Sequence, residues 1–225
     1  MDFKLYRGEV LGITGLVGAG RSEVLQAVFG ADKRLSGDIY VDGKLVPMKS
    51  CKDAIAHHMG LVPEGRKSQS LFLKFTVGEN MTIVYLKQIL KALEIIKNKK
   101  ELAIAREYKD RLRVKTPSLE QSIINLSGGN QQKAIIARWL MSSPRILFLD
   151  EPTQGIDIGA KNEIYDIIDK LAEQGVSVVV VSSEMQETIG LCDRVIVMYE
   201  GKVSGEVMHN EISQELLMTY MSGQD

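Results

Sequence analysis

The sequence has few cysteines, almost no net charge and no long apolar run. Cys51 and Cys192 are far apart and follow no metal-binding spacing, which predicts free thiols in a reducing compartment. With 28 basic and 29 acidic residues, the formal net charge of −1 gives no electrostatic footprint for nucleic acid. Apolar stretches such as Val178–Val181 fall far below the roughly 20 residues that span a bilayer. Since Met1–Lys4 has no signal-peptide character, we expect a soluble, cytoplasmic chain that at most docks onto a membrane.

A glycine-rich loop lies near the start of the chain, at Gly15–Ser22. It matches the phosphate-binding pattern G-x-x-x-x-G-K-[ST] at every required position except the lysine, which is Arg21. A predicted buried strand, Glu9–Thr14, precedes the loop, and a predicted helix, Ser22–Phe29, follows it. This order aims backbone N–H groups and the positive end of a helix dipole at phosphate oxygens. The residues predicted to bind a nucleotide here are Gly15, Gly18, Ala19, Gly20, Arg21, Ser22 and Glu23.

Two acidic residues end a second predicted strand. Asp150 and Glu151 close the apolar run Arg145–Asp150, and strand C-termini are where open α/β sheets place their ligands. An aspartate at this position can hold Mg²⁺, and a following glutamate can orient or deprotonate an attacking water. We therefore predict Ser22 and Asp150 as metal ligands and Glu151 as the catalytic base.

A second loop of serine and glycine, Ser127–Gly129, opens a helix that continues through Ala134–Met141. By the same dipole argument it predicts a second anion site. One nucleotide does not need two such loops. This loop is therefore predicted to contact the γ-phosphate of a nucleotide held by another copy or by a partner domain. A plain serine N-cap explains Ser127 but not the two glycines that follow it.

Strands and helices alternate on both sides of a helical segment. A hairpin is predicted at 35–46 with its turn at Asp42-Gly43, a strand begins at Met59, and strand–helix alternation resumes after Pro144. Such alternation predicts a parallel sheet covered on both faces. The expected fold is therefore α/β with a mainly parallel sheet. We predict one domain over residues 1–225, with a core at 1–75 and 127–225 and an inserted helical subdomain at about 76–126.

Three motifs together resemble the ATPase cassette of ABC transporters: the loop at Gly15–Ser22, the segment L-S-G-G-N-Q-Q at 126–132, and I-L-F-L-D-E-P-T at 146–153. The resemblance covers essentially the whole chain. It implies a P-loop NTPase (RecA-like) core, a small antiparallel β-subdomain, and a helical subdomain that carries a signature loop. ATP and Mg²⁺ are its implied ligands. It further implies a head-to-tail dimer in which ATP lies between one cassette's phosphate loop and the other's signature residues, here Ser127, Gly128, Gly129 and Asn130.

A finer resemblance is to the second cassette of carbohydrate importers of the ribose, galactose and xylose class. It rests on the segments 18–23, 126–133, 155–161 and 181–185. In that class one polypeptide fuses two cassettes. The implied partners are a cassette fused upstream, membrane permease subunits and, indirectly, a sugar-binding protein, and the implied location is the inner face of the cell membrane. Since the family's adenine-stacking strand would precede residue 1, we expect a C-terminal half of a longer protein.

Four positions depart from the family's catalytic pattern. Arg21 replaces the lysine, and Glu64 stands where a glutamine bridges Mg²⁺ and the membrane subunit. Asn130 replaces the first glutamine after the signature glycines, and Ser183 stands where a histidine contacts the γ-phosphate. Arginine keeps the charge but is a bulky planar fork in a loop that cradles a compact ammonium. Glu151, the base, is retained.

These departures favour a half-site that binds nucleotide but has low ATPase activity alone. Its signature loop would complete the nucleotide site of a catalytically active partner cassette. Two alternatives stay open at this point. One is an autonomous ATPase that works as a homodimer, and the other is an ABC-type domain in DNA repair or translation control. The near-neutral charge and the importer-like segments weigh against the last of these.

Overall fold

The computed structural model describes residues 2–85 and 98–224 of the chain. The chain divides into two compact units. The first comprises Met1–Pro63, Arg145–Pro152 and Ile168–Asp225, and the second comprises Glu64–Pro144 and Thr153–Ile167. The division into a core and a helical subdomain at about 76–126 stays a prediction, and its residues 86–97 lie outside the described part of the chain.

All strands of the described residues belong to the first unit. They are β1 (Val10–Gly15), β2 (Ile39–Val41), β3 (Lys44–Val46), β4 (Met59–Val62), β5 (Ile146–Asp150), β6 (Ser177–Val181), β7 (Arg194–Tyr199) and β8 (Lys202–Met208). Six of them form one sheet in the order β4-β5-β6-β1-β7-β8, in which only β8 pairs antiparallel. β2 and β3 form the predicted separate hairpin, whose turn residues Asp42 and Gly43 both have positive φ.

The described α-helices are α1 (Arg21–Phe29), α2 (Cys51–Ala56), α3 (Val77–Thr82), α4 (Asn98–Arg111), α5 (Gly128–Leu140), α6 (Ile158–Glu173), α7 (Met185–Leu191) and α8 (Gln214–Met221). Short π- and 3₁₀-helical turns cover Arg66–Ser70, Ile123–Asn125 and His209–Glu211. In the described part of the chain, the helices fall short of the length and apolar character that a membrane span requires.

β1 is an interior strand of the sheet, and every one of its residues is buried. It pairs in parallel with β6 on one side and β7 on the other, which is typical of strands that read as continuous apolar runs. Ile13 of β1 and Asp150 of β5 both pair with Val181 of β6. The carboxyl ends of these three strands therefore share one edge of the sheet, where open α/β sheets bind ligands.

In the second unit, Arg138 of α5 connects three backbone segments. Its guanidinium donates to the carbonyl oxygens of Ser70 at 2.6 Å and Asn80 at 2.7 Å, and to Asn80 Oδ1 at 3.2 Å. Burial lowers the pKa of Arg138 to about 10. The same Asn80 oxygen accepts the N–H of Phe72 at 2.9 Å. This network satisfies backbone groups that burial would otherwise leave without partners.

A buried ion pair in the first unit gives a stability prediction. Arg194 Nε lies 2.8 Å from Glu9 Oε1, and both side chains are less than a tenth exposed. Arg194→Met leaves the Glu9 carboxylate buried without its cation, and we expect the free energy of unfolding to fall by about 3–5 kcal/mol. Urea denaturation measures this. The matched control is Arg145→Met, which removes an exposed pair with Asp42 and should hardly move the midpoint. Equal effects of the two variants would contradict the prediction.

Candidate functional site

The first glycine-rich loop joins β1 to α1, as predicted. Gly18 and Gly20 have φ of 84° and 91°, a region that side-chain-bearing residues rarely adopt. Gly15 is required for another reason, because a Cβ there would lie 2.4 Å from the carbonyl oxygen of Met198. Gly20 is the N-cap of α1 and, having no side chain, makes no side-chain cap hydrogen bond. The first N–H groups of α1 are therefore suited to bind an anion.

Arg21, in the lysine position of the loop, reaches groups that follow two other strands. Its Nη1 donates a hydrogen bond to the carbonyl oxygen of Ser182 at 3.0 Å, and its Nη2 lies 3.7 Å from Glu151 Oε1. The hydroxyl of Thr14 donates to the same Ser182 oxygen at 3.2 Å. The Arg21 and Glu151 side chains are only 11% and 7% exposed, so water screens their attraction weakly. The cation of this loop is thus paired with the chain's own carboxylate.

Glu151 stands directly after β5 with a φ of 48°. Its N–H donates to the carbonyl oxygen of Val181 at 2.9 Å, and its Oε2 accepts a hydrogen bond from the Ser183 hydroxyl at 3.1 Å. Burial raises the pKa of Glu151, and the Ser183 hydrogen bond and the charge of Arg21 oppose that rise. A carboxylate with a raised pKa is suited to accept a proton from water.

The predicted metal ligands of the first unit are a hydroxyl and a carboxylate. Asp150 is 1% exposed at the end of β5, and Ser22 lies in the first turn of α1. Such oxygen donors fit Mg²⁺, which commonly takes one or two protein ligands beside substrate phosphates. Ala19 is buried in the loop, and its N–H donates to the Leu16 carbonyl oxygen at 3.0 Å. Glu23 is exposed in the same turn of α1, and its role at the nucleotide stays a prediction.

In the second unit, Ser127 is the N-cap of α5 and the two glycines form the first residues of this helix. A Cβ on Gly128 would lie 2.9 Å from Arg66 Nη2, and one on Gly129 would lie 2.4 Å from the Cβ of Ala160. The close approach of Ala160 requires glycine at position 129, whereas at position 128 the Arg66 guanidinium, at the end of a flexible side chain, could move aside. Gly129 therefore has a packing reason besides the phosphate binding to which sequence reasoning attributed it.

A cavity of about 300 Å³ lies beside Ser127. Its lining includes Lys115, Ser127, Gly129, Asn130, Lys133 and Glu163. Lys133 is nearly fully buried, and its Nζ donates to the Arg113 carbonyl oxygen and to Glu163 Oε2, each at 2.7 Å. The hydrogen bond from Lys133 lowers the pKa of Glu163. The cavity therefore combines a helix N-terminus with paired charges of both signs.

Glu64 belongs to the second unit, whereas Ser22 and Asp150 belong to the first, so its place among the metal ligands stays a prediction. Its Oε1 accepts a hydrogen bond from Gln154 Nε2 at 3.3 Å. Arg66 donates from Nη1 to the Gln154 carbonyl oxygen at 3.4 Å.

Sequence reasoning missed several residues of the second unit, above all Arg66. This residue also donates from Nε to Gln131 Oε1 at 3.2 Å, and burial lowers its pKa. The contact joins residues 65 positions apart, so no local spacing could have indicated it. Lys133 and Glu163 were missed for the same reason, because they meet only when α5 packs against α6.

Comparison with known proteins identifies the family. The sequence profile described as "ABC transporter" matches residues 1–154, which is more than half of the chain. The chain belongs to the ABC transporter family. A ribose import ATP-binding protein, RbsA of Clostridium tetani, is 44% identical to this cassette over 220 residues, which are 98% of the chain and 44% of that protein. A xylose import ATP-binding protein, XylG of Pectobacterium atrosepticum, is 47% identical over 219 residues, 97% of the chain and 43% of that protein.

The cassette spans less than half the length of the curated relatives it matches. Among solved structures, the dimeric ATP-binding cassette MJ0796 with ADP and Pi matches at a TM-score of 0.79 and 24% identity, covering 93% of this chain and 89% of that chain. A nucleotide-free ATP-binding cassette of an ABC transporter matches at a TM-score of 0.83 and 21% identity, covering 97% and 89%. These likenesses confirm the predicted fold class, a P-loop NTPase with a mainly parallel sheet, a small antiparallel sheet and a helical part.

Proposed function

We propose that this ABC cassette binds ATP with Mg²⁺ and helps to drive carbohydrate import as a half-site of low intrinsic activity. Relatives named for ribose and xylose import, 44% and 47% identical over nearly the whole chain, support a sugar as the transported class. The retained Glu151 is the observation that favours the alternative, an autonomous homodimeric ATPase. The proposal places hydrolysis at a partner cassette that receives the signature loop of this chain.

The pairing of Arg21 with Glu151 carries the half-site proposal. The guanidinium that should meet a phosphate is held by the Ser182 carbonyl oxygen at 3.0 Å and by the Glu151 carboxylate at 3.7 Å. Nucleotide must compete with the carboxylate for this cation, while the carboxylate is occupied by two donors, Arg21 and Ser183. An arginine fork is also too bulky to take the place of a compact ammonium in the loop.

Nucleotide binding itself is expected to survive these changes. Backbone N–H groups of the loop and of α1 remain to bind phosphate oxygens, and they do not depend on the side chain at position 21. Ser22 and Asp150 supply oxygen donors for Mg²⁺, with Glu64 as a further candidate. When bound, Mg²⁺ neutralises charge on the phosphates.

The expected partners follow from the importer class. They are a second cassette in the same polypeptide, membrane permease subunits and, through these, a sugar-binding protein. The proposed location is accordingly cytoplasmic and peripheral on the inner face of the membrane. No nucleic-acid partner is proposed, since the formal net charge is only −1.

Ser22→Ala tests the nucleotide site. For the unsubstituted chain we expect Mg²⁺ to strengthen ATP binding about tenfold, equivalent to about 1.4 kcal/mol. In Ser22→Ala the effect of Mg²⁺ should fall below about twofold, because one oxygen ligand is lost. Isothermal titration calorimetry with and without Mg²⁺ measures both.

The control for this test is Ser36→Ala, at an exposed position outside the loop, which should keep the full Mg²⁺ effect. Absence of ATP binding by the unsubstituted chain would refute the proposed nucleotide site. An unchanged Mg²⁺ effect in Ser22→Ala would refute the assigned metal ligand but leave nucleotide binding standing.

A further inference from the structure

The side chain of Asn130 bridges two segments of the second unit. Its Oδ1 accepts a hydrogen bond from the backbone N–H of Lys115 at 2.7 Å, and its Nδ2 donates to Ser127 Oγ at 2.9 Å. The orientation of the amide follows from chemistry, because a backbone N–H can only donate and must therefore face the amide oxygen. The NH₂ group is then the part of Asn130 that meets Ser127.

The hydrogen bond from Asn130 Nδ2 to Ser127 Oγ determines whether the Ser127 hydroxyl acts as a hydrogen-bond donor or acceptor toward other groups. A serine at a helix N-cap usually accepts a hydrogen bond from a backbone N–H of the first turn. Ser127 is the N-cap of α5 but makes no such bond within the described chain. Its oxygen accepts from Asn130 Nδ2 instead, so its own hydrogen remains available to be donated. Both residues line the 300 Å³ cavity, whose lining also includes the carboxylates of Asp157 and Glu163.

We propose that Asn130 is a positioning residue that holds the Ser127 hydroxyl as a donor toward the γ-phosphate of a nucleotide bound by the partner cassette. The inference rests on the proposed function, since it requires that the signature loop meets a partner's nucleotide. Asn130 was predicted from sequence to bind nucleotide. The inference gives it a different task, in which it acts on the phosphate through Ser127.

Neighbouring charged groups do not perform this task in the structure. Lys133 is held by the Arg113 carbonyl oxygen and by Glu163, each at 2.7 Å. The Lys115 side chain lies 3.5 Å from Glu163 and is 76% exposed. A glutamine at position 130 would place one more methylene between the backbone and the amide, whereas the asparagine amide makes both contacts, at 2.7 and 2.9 Å. The short side chain of asparagine therefore fits the observed geometry.

The test compares Asn130→Ala and Asn130→Asp in the complete transporter. Asn130→Ala should lower kcat for ATP hydrolysis about tenfold with KM nearly unchanged, less than the 10²–10³ that loss of a donor itself costs. Asn130→Asp keeps the acceptor for the Lys115 N–H and the size of the side chain. Its carboxylate accepts the Ser127 hydrogen, so kcat should fall at least as far as in Asn130→Ala. Asn162→Ala, at an exposed position of α6, is the control and should match the unsubstituted protein.

A double-mutant cycle with Ser127→Ala separates positioning from a merely structural role. Once the Ser127 hydroxyl is gone, Asn130→Ala should cause no further loss, because its effect passes through that hydroxyl. Full activity of Asn130→Ala, or an equal loss in both backgrounds, would overturn the inference and leave the proposed function intact. If Ser127→Ala itself has no effect, signature donation fails and the inference fails with it.

Discussion

We expect the double substitution Arg21→Lys with Ser183→His to raise ATP hydrolysis about a thousandfold when two copies of the chain are associated. The lysine frees Glu151 from the guanidinium that lies 3.7 Å away and supplies a compact ammonium to the phosphate loop. The histidine removes the hydrogen bond that Ser183 donates to Glu151 at 3.1 Å. Single transition-state charges in phosphoryl transfer contribute roughly 10³–10⁵ in rate, so this size of gain is reasonable.

Steady-state hydrolysis is measured at protein concentrations that allow two copies to associate. The matched control is Arg21→Gln with Ser183→His, which also releases Glu151 but supplies no cation, and it should stay within about tenfold of the unsubstituted chain. If the unsubstituted chain already turns over at rates ordinary for enzymes, about 10 s⁻¹, the half-site proposal is wrong and the autonomous homodimer is favoured.

Ser127→Ala is expected to lower ATP hydrolysis by the complete transporter at least about a hundredfold, although the partner's phosphate loop is untouched. The reason is that the proposed γ-phosphate contact loses a hydrogen-bond donor, and removal of one such donor commonly costs 10²–10³ in kcat. The assay measures hydrolysis stimulated by sugar-loaded binding protein, with pentoses and hexoses compared. If none of these sugars stimulates ATP hydrolysis, the result would argue against a carbohydrate as the transported substrate.

The matched control is Ser213→Ala. Ser213 is also a helix N-cap, and its hydroxyl accepts the N–H of Leu216 at 3.2 Å. The control therefore loses a helix cap but no proposed phosphate contact, and hydrolysis should stay within about twofold of the unsubstituted protein. Similar losses in both variants would mean that a general effect of capping, and not signature donation, explains the result.

Much of the fold was predictable because local patterns determine it. The predicted strand Arg145–Asp150 became β5, which begins one residue later at Ile146, and strands and helices alternate after Pro144 as predicted. The hairpin of β2 and β3 follows from Asp42-Gly43. The helix α2 was missed, since its six residues are too few to establish a helical period.

The candidate site was predictable only in its motifs. Sequence placed Arg21 in the phosphate loop and Ser183 at the position of the family's histidine, but the contacts of both with Glu151 depend on which strands are neighbours in the sheet. The order β5-β6-β1 follows from tertiary packing, and no local pattern contains it. The bond between Asn130 and the Lys115 N–H likewise joins residues 15 positions apart across two segments. Motifs identify the groups, whereas long-range packing decides which groups meet.

The uncapped start of α1 has a consequence for the stability of the cassette. The N-cap of α1, Gly20, makes no side-chain cap hydrogen bond, and a glycine N-cap is less favourable than serine or aspartate by only about a few tenths of a kcal/mol. A phosphate bound at these N–H groups would supply the missing acceptor, so a nucleotide bound as proposed would cap this helix. A ligand that binds only the folded chain stabilises it in proportion to the logarithm of its concentration. With the nucleotide binding proposed above, the free energy of unfolding of this domain would therefore rise with the concentration of ATP.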